Sequence, residues 1–286
     1  MLTIKPNEIP TAKLHAYLLS AVSPRPIAFA STLDSDGNPN LSPFSFFNVF
    51  SANPPILIFS PARRVSNNTT KHTLDNVMAT KEVVINVVNY DLVQQMSLAS
   101  TEYAAGVDEF TKAGLTMLKS DVVKPFRVAE SPIQMECKVN EVVPLGKKGG
   151  AGNLVICEVV CMHINKDFLD DKGNVNQEKL DLVARAGGSY YSRARNGFFE
   201  IPKPLSTLGI GVDALPEYIR ESIILTGNNL GMLANIEALP LPEDVKLFTE
   251  KHPQIAQLSV TEKHKKAQEF LENNHINEAW LTLLTA

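Results

Sequence analysis

The sequence predicts an α+β fold, in which a mainly β region precedes a helical C-terminal extension. Three observations lead to this prediction. Short apolar runs bounded by turn residues begin the chain, two longer strand-like runs follow, and amphipathic helical patterns dominate from about residue 205. Strands first and helices afterwards are typical of α+β proteins, or of a barrel with a helical extension. We therefore predict one domain over residues 1–204 and a helical extension over residues 205–286.

The N-terminal elements are predicted from apolar periodicity and turn residues. A short helix is expected over Ala12–Leu19, with three strands after it. The segment from Asp34 to Pro39 contains residues that tolerate positive φ, as tight hairpin turns require, so the first two strands should be antiparallel neighbours. Asn53-Pro54-Pro55 ends the second strand, and Ile56–Ser60 is expected to complete a meander as the third strand.

The middle of the chain alternates helical and strand-like patterns. The predicted elements are helices over Thr69–Ala79 and Asp91–Ser100 and strands over Glu82–Asn89, Gln134–Val143 and Leu154–Asn165. A glycine-rich segment, residues 145–152, joins the last two strands. Because it opens no helix, we interpret this segment as a flexible hairpin loop and not as a phosphate-binding loop.

The composition is that of an ordinary globular chain. Of the 286 residues, 44% are hydrophobic and 20% are charged, and the formal net charge is −4. Acidic and basic residues are interspersed, so no basic surface for nucleic acid is predicted. No apolar run approaches the roughly 20 residues that a membrane-spanning helix needs. The run Leu14–Val22 is too short and broken for a signal peptide.

Cysteine and histidine usage gives no sign of a metal site. Three cysteines are too few for a disulfide framework, which favours a reducing, cytoplasmic location. Cys157 and Cys161 fall in one predicted strand, where four residues separate them by roughly 13 Å on the same face. At that distance they cannot share a disulfide or a metal ion. The six histidines are scattered without ligand spacing, so neither a metal site nor a nucleophile–base pair is predicted.

The first predicted strand has one large apolar face and one small face. Alternation places Ile27, Phe29 and Leu33 on one side and Ala28, Ala30 and Thr32 on the other. The small face suits the close approach of something flat, either another chain's sheet or a ligand. In the next strand, Pro43 interrupts the hydrogen-bond ladder and indicates an edge or a bulge with free backbone donors.

A flavin is one flat ring system that fits such a surface. Its pyrimidine edge and ring nitrogens need backbone amides, hydroxyls and carboxamides as partners. Ser45, Asn48 and the main chain of Phe46 and Phe47 would supply these groups. The alternative is a one-sided sheet on which Ser and Asn face solvent.

A basic segment follows the predicted third strand. Arg63 and Arg64 lie just before a predicted helix, and Lys71 and Thr73 lie near its first turn. A phosphate group needs cations and outward-facing N–H groups, which such a loop and a helix N-terminus provide together. The alternative is a solvated basic loop in which an Asn or Thr side chain caps the helix.

A series of short motifs resembles one protein family. In chain order the motifs are Ser23-Pro24-Arg25-Pro26-Ile27-Ala28, Ser31-Thr32-x-Asp34-x-x-Gly37-x-x-Asn40-Leu41, Pro43-Phe44-Ser45-Phe46-Phe47-Asn48, Pro54-Pro55, Lys71-x-Thr73 and Gly187-Gly188-x-Tyr190-Tyr191. Over roughly residues 21–191 they resemble the flavin reductase-like, FMN-binding split-barrel proteins, most closely their flavoredoxin-like branch. The order of the motifs is more specific than any one of them.

The resemblance implies a six-stranded antiparallel split barrel, a homodimer, and one FMN per subunit near the dimer interface. It implies FMN contacts by Ser45, Phe46, Phe47 and Asn48 along the isoalloxazine ring, by Arg25 and Thr32 at its flank, and by Arg63, Lys71 and Thr73 at the ribityl chain or phosphate. One position departs from the family pattern, since His72 stands where an Asp is common. An imidazole cannot act only as an acceptor, so we assign this residue no role.

The implied function is that of an FMN-dependent oxidoreductase, most directly an NAD(P)H-dependent flavin reductase. The electron donor would be a nicotinamide nucleotide, and the acceptor would be free flavin or a redox partner protein. His163 and Tyr191 are candidate catalytic contacts, although a strand histidine or core tyrosine with satisfied hydrogen bonds is the plainer interpretation. Three alternatives stay open: an FMN-dependent oxidase of a small molecule, an FMN-carrying electron-transfer protein, and a flavin-free structural dimer.

Overall fold

The chain forms two compact units, Met1–Phe199 and Glu200–Ala286. This architecture comes from a computed structural model that describes residues 1–104, 106–201 and 208–285. The domain boundary predicted between residues 204 and 205 lies in the segment 202–207, outside the described residues, and stays a prediction.

The first unit is built on an antiparallel sheet. Its strands are β1 (Ala28–Leu33), β2 (Pro39–Phe44), β3 (Phe47–Ala52), β4 (Pro55–Phe59), β5 (Glu82–Asn86), β6 (Met117–Leu118), β7 (Arg127–Val128), β8 (Ile133–Pro144), β9 (Asn153–Ile164), β10 (Val183–Arg185) and β11 (Tyr191–Arg193). Seven of them form one sheet in the order β2-β1-β5-β8-β9-β4-β3, and β6–β7 and β10–β11 are separate pairs.

The large sheet closes into a barrel because its two edges are consecutive strands. β2 and β3 lie at opposite ends of the strand order, yet only Ser45 and Phe46 separate them in the chain. The chain therefore bends at these two residues from one edge of the sheet to the other. When the bent segment is counted once, the barrel has the six antiparallel strands that were predicted.

The predicted meander is confirmed in its pairing, but its second strand is bent. β1 and β2 pair as expected, with Ala28 opposite Phe44 and Leu33 opposite Pro39. β4 pairs with β3, the part of the second strand after the bend, and on its other side with β9. What the sequence pattern suggested as one second strand is two strands, since the chain leaves the β1 ladder after Phe44 and turns towards the other edge.

The small face of β1 packs against the protein's own helix. All six residues of β1 are buried. Ala28 and Ala30 belong to the same buried cluster as Leu74 and Val77 of helix α2 (His72–Thr80). Because alanine leaves room for close packing, this face of β1 lies against the protein's own core, to which α2 and the strands β4 and β9 contribute side chains.

A β-bulge separates the two cysteines of β9. β8 and β9 pair along nearly their whole length, as predicted, but Val160 is an extra residue on β9 that shifts the register. A bulge reverses the alternation of side chains along a strand. Cys157 therefore lies in the barrel interior, whereas Cys161 lies opposite Glu136 on the outer face. The prediction that both cysteines share one face is wrong.

Short helices cover the barrel. They are α1 (Thr11–Ala21), α2 (His72–Thr80), α3 (Val93–Leu98), α4 (Glu109–Ala113) and α5 (Gln177–Leu180). The helix predicted from Thr69 begins later because Arg64 and Asn67 hold Thr69 in a turn. The helix predicted over Asp91–Ser100 is shorter than expected, since a 3-10 turn at Tyr90–Leu92 precedes α3.

The described residues of the second unit form helices around a core of their own. These helices are α6 (Glu217–Arg220), α7 (Gly227–Ala234), α8 (Pro242–Lys251), α9 (Pro253–Ala256), α10 (Val260–Glu272) and α11 (Ile276–Leu284). Trp280 is buried at the centre, and its Nε1 donates to Leu233 O at 3.0 Å. The predicted run of helices is confirmed. Within the ranges that the structure describes, no helix is long and apolar enough to cross a membrane.

Candidate functional site

The bend between β2 and β3 exposes part of the segment that was predicted to line a flavin ring. Ser60 N donates to Phe46 O at 2.8 Å, which fixes the bend against the end of β4. The side chain of Phe46 is 39% exposed and Asn48 is exposed, whereas Phe47 packs against the barrel core. Phe46 and Asn48 therefore face an open surface, and Phe47 supports it from inside.

Arg25 is a buried clamp beside this bend. Its Nε donates to Ser45 Oγ at 3.3 Å, and its other nitrogens donate to carbonyl oxygens at the end of α1 and at Ala186. Burial, together with the positive charge of Arg185, lowers the pKa of Arg25. Since its donors join α1, the bend and the segment at Ala186, Arg25 fixes the flank of the open surface from within the protein.

Thr32 and Thr73 lie in a buried hydrogen-bond network under α2. Asn76 Nδ2 donates to Thr32 Oγ1 at 3.0 Å, and Asn40 Nδ2 donates to Thr73 Oγ1 at 2.9 Å. Thr32 and Thr73 are 0% and 1% exposed. Both side chains hold α2 on the barrel, and neither reaches the open surface.

The two arginines before α2 are held by the loop that carries them. Arg63 Nε donates to Asn68 Oδ1 at 2.8 Å, and its Nη2 donates to Asn68 O at 2.7 Å. Arg64 donates to Thr69 Oγ1 at 2.9 Å and forms an ion pair with Glu102. We predicted Arg63 as a phosphate ligand, but Arg64 is the arginine that lines the cleft next to α2.

This cleft lies between the loop, the start of α2 and residues 99–103. We call it the basic cleft, and its polar lining includes Arg64, Lys71, His72, Thr101, Glu102 and Thr73, the last of which we predicted near the phosphate. Its volume is ≈ 30 Å³, room for one or two water molecules. A phosphate group is larger than this, so it enters only if the exposed Glu102 side chain gives way.

Lys71 is a cation without a partner at the edge of α2. Among the described residues its Nζ makes no hydrogen bond or ion pair, and burial, with the nearby charge of Arg64, lowers its pKa. Lys71 is also the N-cap of α2, and no side chain from the described ranges caps that helix end. The first N–H groups of a helix have no partner within it. An ammonium and a helix N-terminus that have no partner among the described residues suit an anion, so the charges of the basic cleft match a phosphate group, which needs the Glu102 side chain to move aside.

The glycine-rich segment between β8 and β9 braces the arginine loop. Gly150 N donates to Arg63 O at 3.0 Å, and Arg63 N donates to Ala151 O at 2.8 Å. A Cβ on Gly149 would lie 2.9 Å from Arg64 O and 3.0 Å from Val65 O. We predicted a flexible hairpin loop here, but its close approach positions the backbone of the basic cleft.

His72 and Glu109 form another wall of the basic cleft. Glu109 is buried and accepts a hydrogen bond from Leu41 N at 3.0 Å. Burial raises the pKa of Glu109, and the Leu41 N–H and the nearby His72 partly offset this. We assigned no role to His72, but it lines the basic cleft together with Arg64 and Lys71.

The two candidate catalytic residues lie apart from the lining of the basic cleft. His163 Nε2 lies 2.7 Å from the buried Glu136 carboxylate, as the plainer interpretation of a partnered strand histidine expects. Burial alone would raise the pKa of Glu136, but backbone N–H groups and His163 lower it to about 2. Tyr191 is partly exposed under the Arg185 guanidinium and lines a separate cleft of ≈ 200 Å³ with Tyr90 and Arg193.

Sequence reasoning missed three residues that shape the basic cleft. Arg64 was noticed beside Arg63 but not selected, because adjacent arginines cannot be ranked without the loop conformation. Glu102 and Glu109 are distant in sequence from α2 and carry no motif. Their only sequence signal is a polar segment with Ser, Thr and Tyr after the third predicted helix.

Comparison with known proteins identifies the barrel. A family model for the flavin reductase like domain matches residues 20–181, a range that contains the bend and the basic cleft. The chain belongs to the flavin reductase like family. The resemblance drawn from short motifs is therefore confirmed, and the family supports a flavin-related oxidoreductase.

The relatives of this flavin reductase-like chain match about two thirds of its length. An uncharacterized protein of Aquifex aeolicus is 39% identical over 181 residues, which are 63% of this chain and 90% of that protein. Nitrilotriacetate monooxygenase component B from Bacillus cereus has a similar structure, with a TM-score of 0.66 and 29% identity over 70% of this chain and 98% of that one.

A protein with a split barrel domain from Shewanella frigidimarina gives a TM-score of 0.60 and 26% identity, covering 71% of this chain and 99% of that one. The predicted split barrel is therefore confirmed. The helices after residue 200 lie outside the family match.

Proposed function

We propose that this chain is an FMN-dependent oxidoreductase that takes electrons from a nicotinamide nucleotide, that is, an NAD(P)H-dependent flavin reductase. The observation that supports this most is the half-buried Lys71 ammonium, which has no partner among the described residues and lies beside the uncapped start of α2. FMN carries a phosphate that would pair with this cation, whereas riboflavin does not.

The loop between β4 and α2 connects the two ends of the proposed site. It begins at Ser60, which binds the bend at Phe46, and it ends at Lys71 in the basic cleft. One ligand with a ring at one end and a phosphate at the other matches this layout. The ring would lie on the open surface at Phe46 and Asn48, with the phosphate between Arg64 and Lys71.

Each residue of the proposed site has a separate task. Lys71 and Arg64 bind the phosphate, the Asn48 carboxamide and backbone groups of the bend orient the ring, and Arg25 holds the bend in place. Arg63, Thr32 and Thr73 support the loop and α2 from inside. When bound, FMN supplies the redox chemistry that the protein's side chains do not provide.

The proposed active form is a homodimer. Val49 and Phe50 of β3 are each 63% exposed and lie directly after the bend. Exposed apolar side chains of this size on neighbouring positions are typical of an interaction surface. A second copy that covers β3 would also bury the ring end of the site.

Mixing the purified, FMN-loaded protein with NADH or NADPH tests the proposal. Rapid loss of flavin absorbance with either nucleotide is the expected result. If neither nucleotide bleaches the flavin but a redox partner protein reduces it, the chain is an FMN-carrying electron-transfer protein. Parallel assays with Lys71→Ala and with Lys172→Ala, a change of an exposed lysine outside the cleft and its supporting segments, tie any loss of bound flavin to the proposed site.

A further inference from the structure

Three metal-ligating side chains converge on the outer face of the barrel. They are Glu136 on β8 and Cys161 and His163 on β9, and we call them the outer-face cluster. His163 Nε2 lies 2.7 Å from Glu136 Oε1 and 3.5 Å from Cys161 Sγ. All three ligand atoms lie within 4.8 Å of one another. From this convergence we propose that the outer-face cluster binds one divalent transition-metal ion, with Zn²⁺ as its occupant.

The distances between the ligand atoms suit tetrahedral coordination of a metal ion. Bonds of about 2.0–2.3 Å to zinc place neighbouring ligand atoms about 3.3–3.8 Å apart. The 3.5 Å between His163 and Cys161 falls within that range and the 2.7 Å between His163 and Glu136 is shorter, so a small side-chain rotation that moves His163 from Glu136 brings the ligands into position. Asp121 Oδ2, 4.0 Å from His163 Nε2, offers an oxygen for the fourth position. A set of thiolate, imidazole and carboxylate favours zinc over magnesium or calcium, which prefer oxygen ligands.

The fold builds this cluster through the β-bulge at Val160. The bulge turns Cys161 to the outer face, and the two-residue spacing places His163 on the same side of the strand. Glu136 lies opposite Cys161 on the neighbouring strand. The sequence predicted no metal site because a bulge cannot be read from alternation, and because Glu136 is distant in sequence from the other two ligands.

Outer contacts hold the proposed ligands in place. The Glu136 side chain is fully buried and accepts hydrogen bonds from the backbone N–H groups of Asp121, Val122 and Val123 at 2.8, 2.7 and 3.0 Å. Such second contacts fix the orientation of a metal-binding carboxylate. The side chains of His163 and Asp121 are 21% and 65% exposed, which gives an ion a path from solvent.

The local charges balance with a divalent ion in place. Arg127 Nε lies 3.8 Å from Glu136 Oε1, and its Nη2 lies 3.7 Å from Asp121 Oδ1. Glu136, Asp121 and a Cys161 thiolate supply three negative charges against this one guanidinium, so a divalent ion makes the group neutral. Binding releases the Cys161 thiol proton and moves the proton from His163 Nε2, since metal ligands must be deprotonated.

Cobalt titration of the full-length chain tests this proposal. The protein is reduced, treated with EDTA, exchanged into metal-free buffer and titrated with Co²⁺, a probe that gives a thiolate-to-cobalt charge-transfer band. We expect one Co²⁺ per chain, the charge-transfer band, and displacement of Co²⁺ by Zn²⁺. Cys161→Ser should abolish the band, and His163→Gln should weaken binding by at least about tenfold, since even second-shell changes cost that much.

Matched variants separate this site from adventitious binding. Cys157→Ser changes a thiol in the barrel interior, and His275→Gln changes an exposed histidine of the helical unit. Both should bind Co²⁺ as the wild type does, with circular dichroism confirming that all variants are folded. The proposal is overturned if the wild type gives no charge-transfer band, or if Cys161→Ser keeps the band. The outer-face cluster would then be a hydrogen-bonded anchor for the turn at Asp121.

Discussion

The two ends of the proposed flavin site differ in how many of their polar groups already form hydrogen bonds or ion pairs within the protein. At the ring end, the bend between β2 and β3 presents the exposed Phe46 and Asn48 on a surface that Arg25 fixes from inside. At the phosphate end, Arg63 and Arg64 are held by loop atoms or by Glu102, and Lys71 has no partner among the described residues.

This difference indicates how each end contributes to binding. The N–H groups of the two arginines are already bound to loop atoms or to Glu102. The arginines therefore contribute the shape of the loop and a positive electrostatic potential. The discrimination between FMN and riboflavin should therefore depend mainly on Lys71. The ring end should contribute a surface that accepts both flavins equally, since neither Phe46 nor Asn48 carries a charge.

Lys71→Ala should have the largest effect of the site variants. Loss of a charge-assisted hydrogen bond should weaken FMN binding by about 1–3 kcal/mol, while riboflavin binding stays unchanged. Titration of flavin fluorescence with the wild type, Lys71→Ala and the exposed control Lys172→Ala measures both affinities. An equal loss for both flavins would show that Lys71 supports the fold of the site and not the phosphate, and no loss would place the phosphate elsewhere.

Gly149→Ala tests whether the glycine-rich segment positions the phosphate end. The added Cβ would meet Arg64 O at 2.9 Å, so the arginine loop must shift. We expect FMN affinity to fall by about 1 kcal/mol, the lower range for overpacking. Gly231→Ala in α7, where a Cβ meets nothing within 4 Å, is the matched control. If both variants bind FMN equally well, the segment is only a connector.

Glu102→Gln should strengthen FMN binding, whereas the two preceding variants should weaken it. The exposed Glu102 carboxylate pairs with Arg64 and must leave when a phosphate enters. Removing its charge should strengthen FMN binding by no more than about 1 kcal/mol, the usual size of an exposed ion pair. Glu8→Gln breaks another exposed pair, with Lys5, and should leave FMN binding unchanged. Weaker binding of FMN to Glu102→Gln would contradict this assignment.

Asp181→Asn breaks an ion pair outside the basic cleft and should have the smallest effect on FMN. The Arg193 guanidinium lies 2.5 Å from the Asp181 carboxylate and lowers its pKa. A carboxyl group whose pKa is lowered by folding stabilises the protein above its unfolded pKa, and this contribution is lost as the pH falls.

The variant should therefore melt at a lower temperature than the wild type at pH 7, and the difference should shrink below about pH 4, near the unfolded pKa. Thermal melts across this pH range measure the effect. The ratio of FMN to riboflavin affinity should not change, because Asp181 does not line the basic cleft. A melting difference that stays constant with pH would contradict the assigned ion pair.

Much of the fold follows from local sequence patterns, but the barrel closure does not. The hairpin at Asp34–Pro39 and the strands β8 and β9 have strong local signals in turn residues and apolar runs. The bend at Ser45 and Phe46 depends instead on which strand edges meet, and this is a property of the whole sheet. The same holds for the small residues Ala28 and Ala30, whose partner α2 lies more than forty residues later in the chain.

The candidate site was predicted in its segments but less well in its individual side chains. The sequence indicated a ring end and a phosphate end through the motif at Ser45–Asn48 and the basic loop. It could not show that Thr32 and Thr73 are buried under α2, because a hydroxyl on a strand or helix suits a ligand and a buried network equally well. It also could not show that Glu102 approaches Arg64, since that contact depends on the path of a loop.

The most direct test of the central claim is a parallel titration of the flavin-free wild-type protein with FMN and riboflavin. The proposed site predicts saturable binding of one FMN per chain, with riboflavin weaker by roughly fivefold or more, which corresponds to about 1 kcal/mol or more from the phosphate contacts. Equal affinity for the two flavins, or no binding of either one, would contradict a flavin held by its phosphate at Lys71.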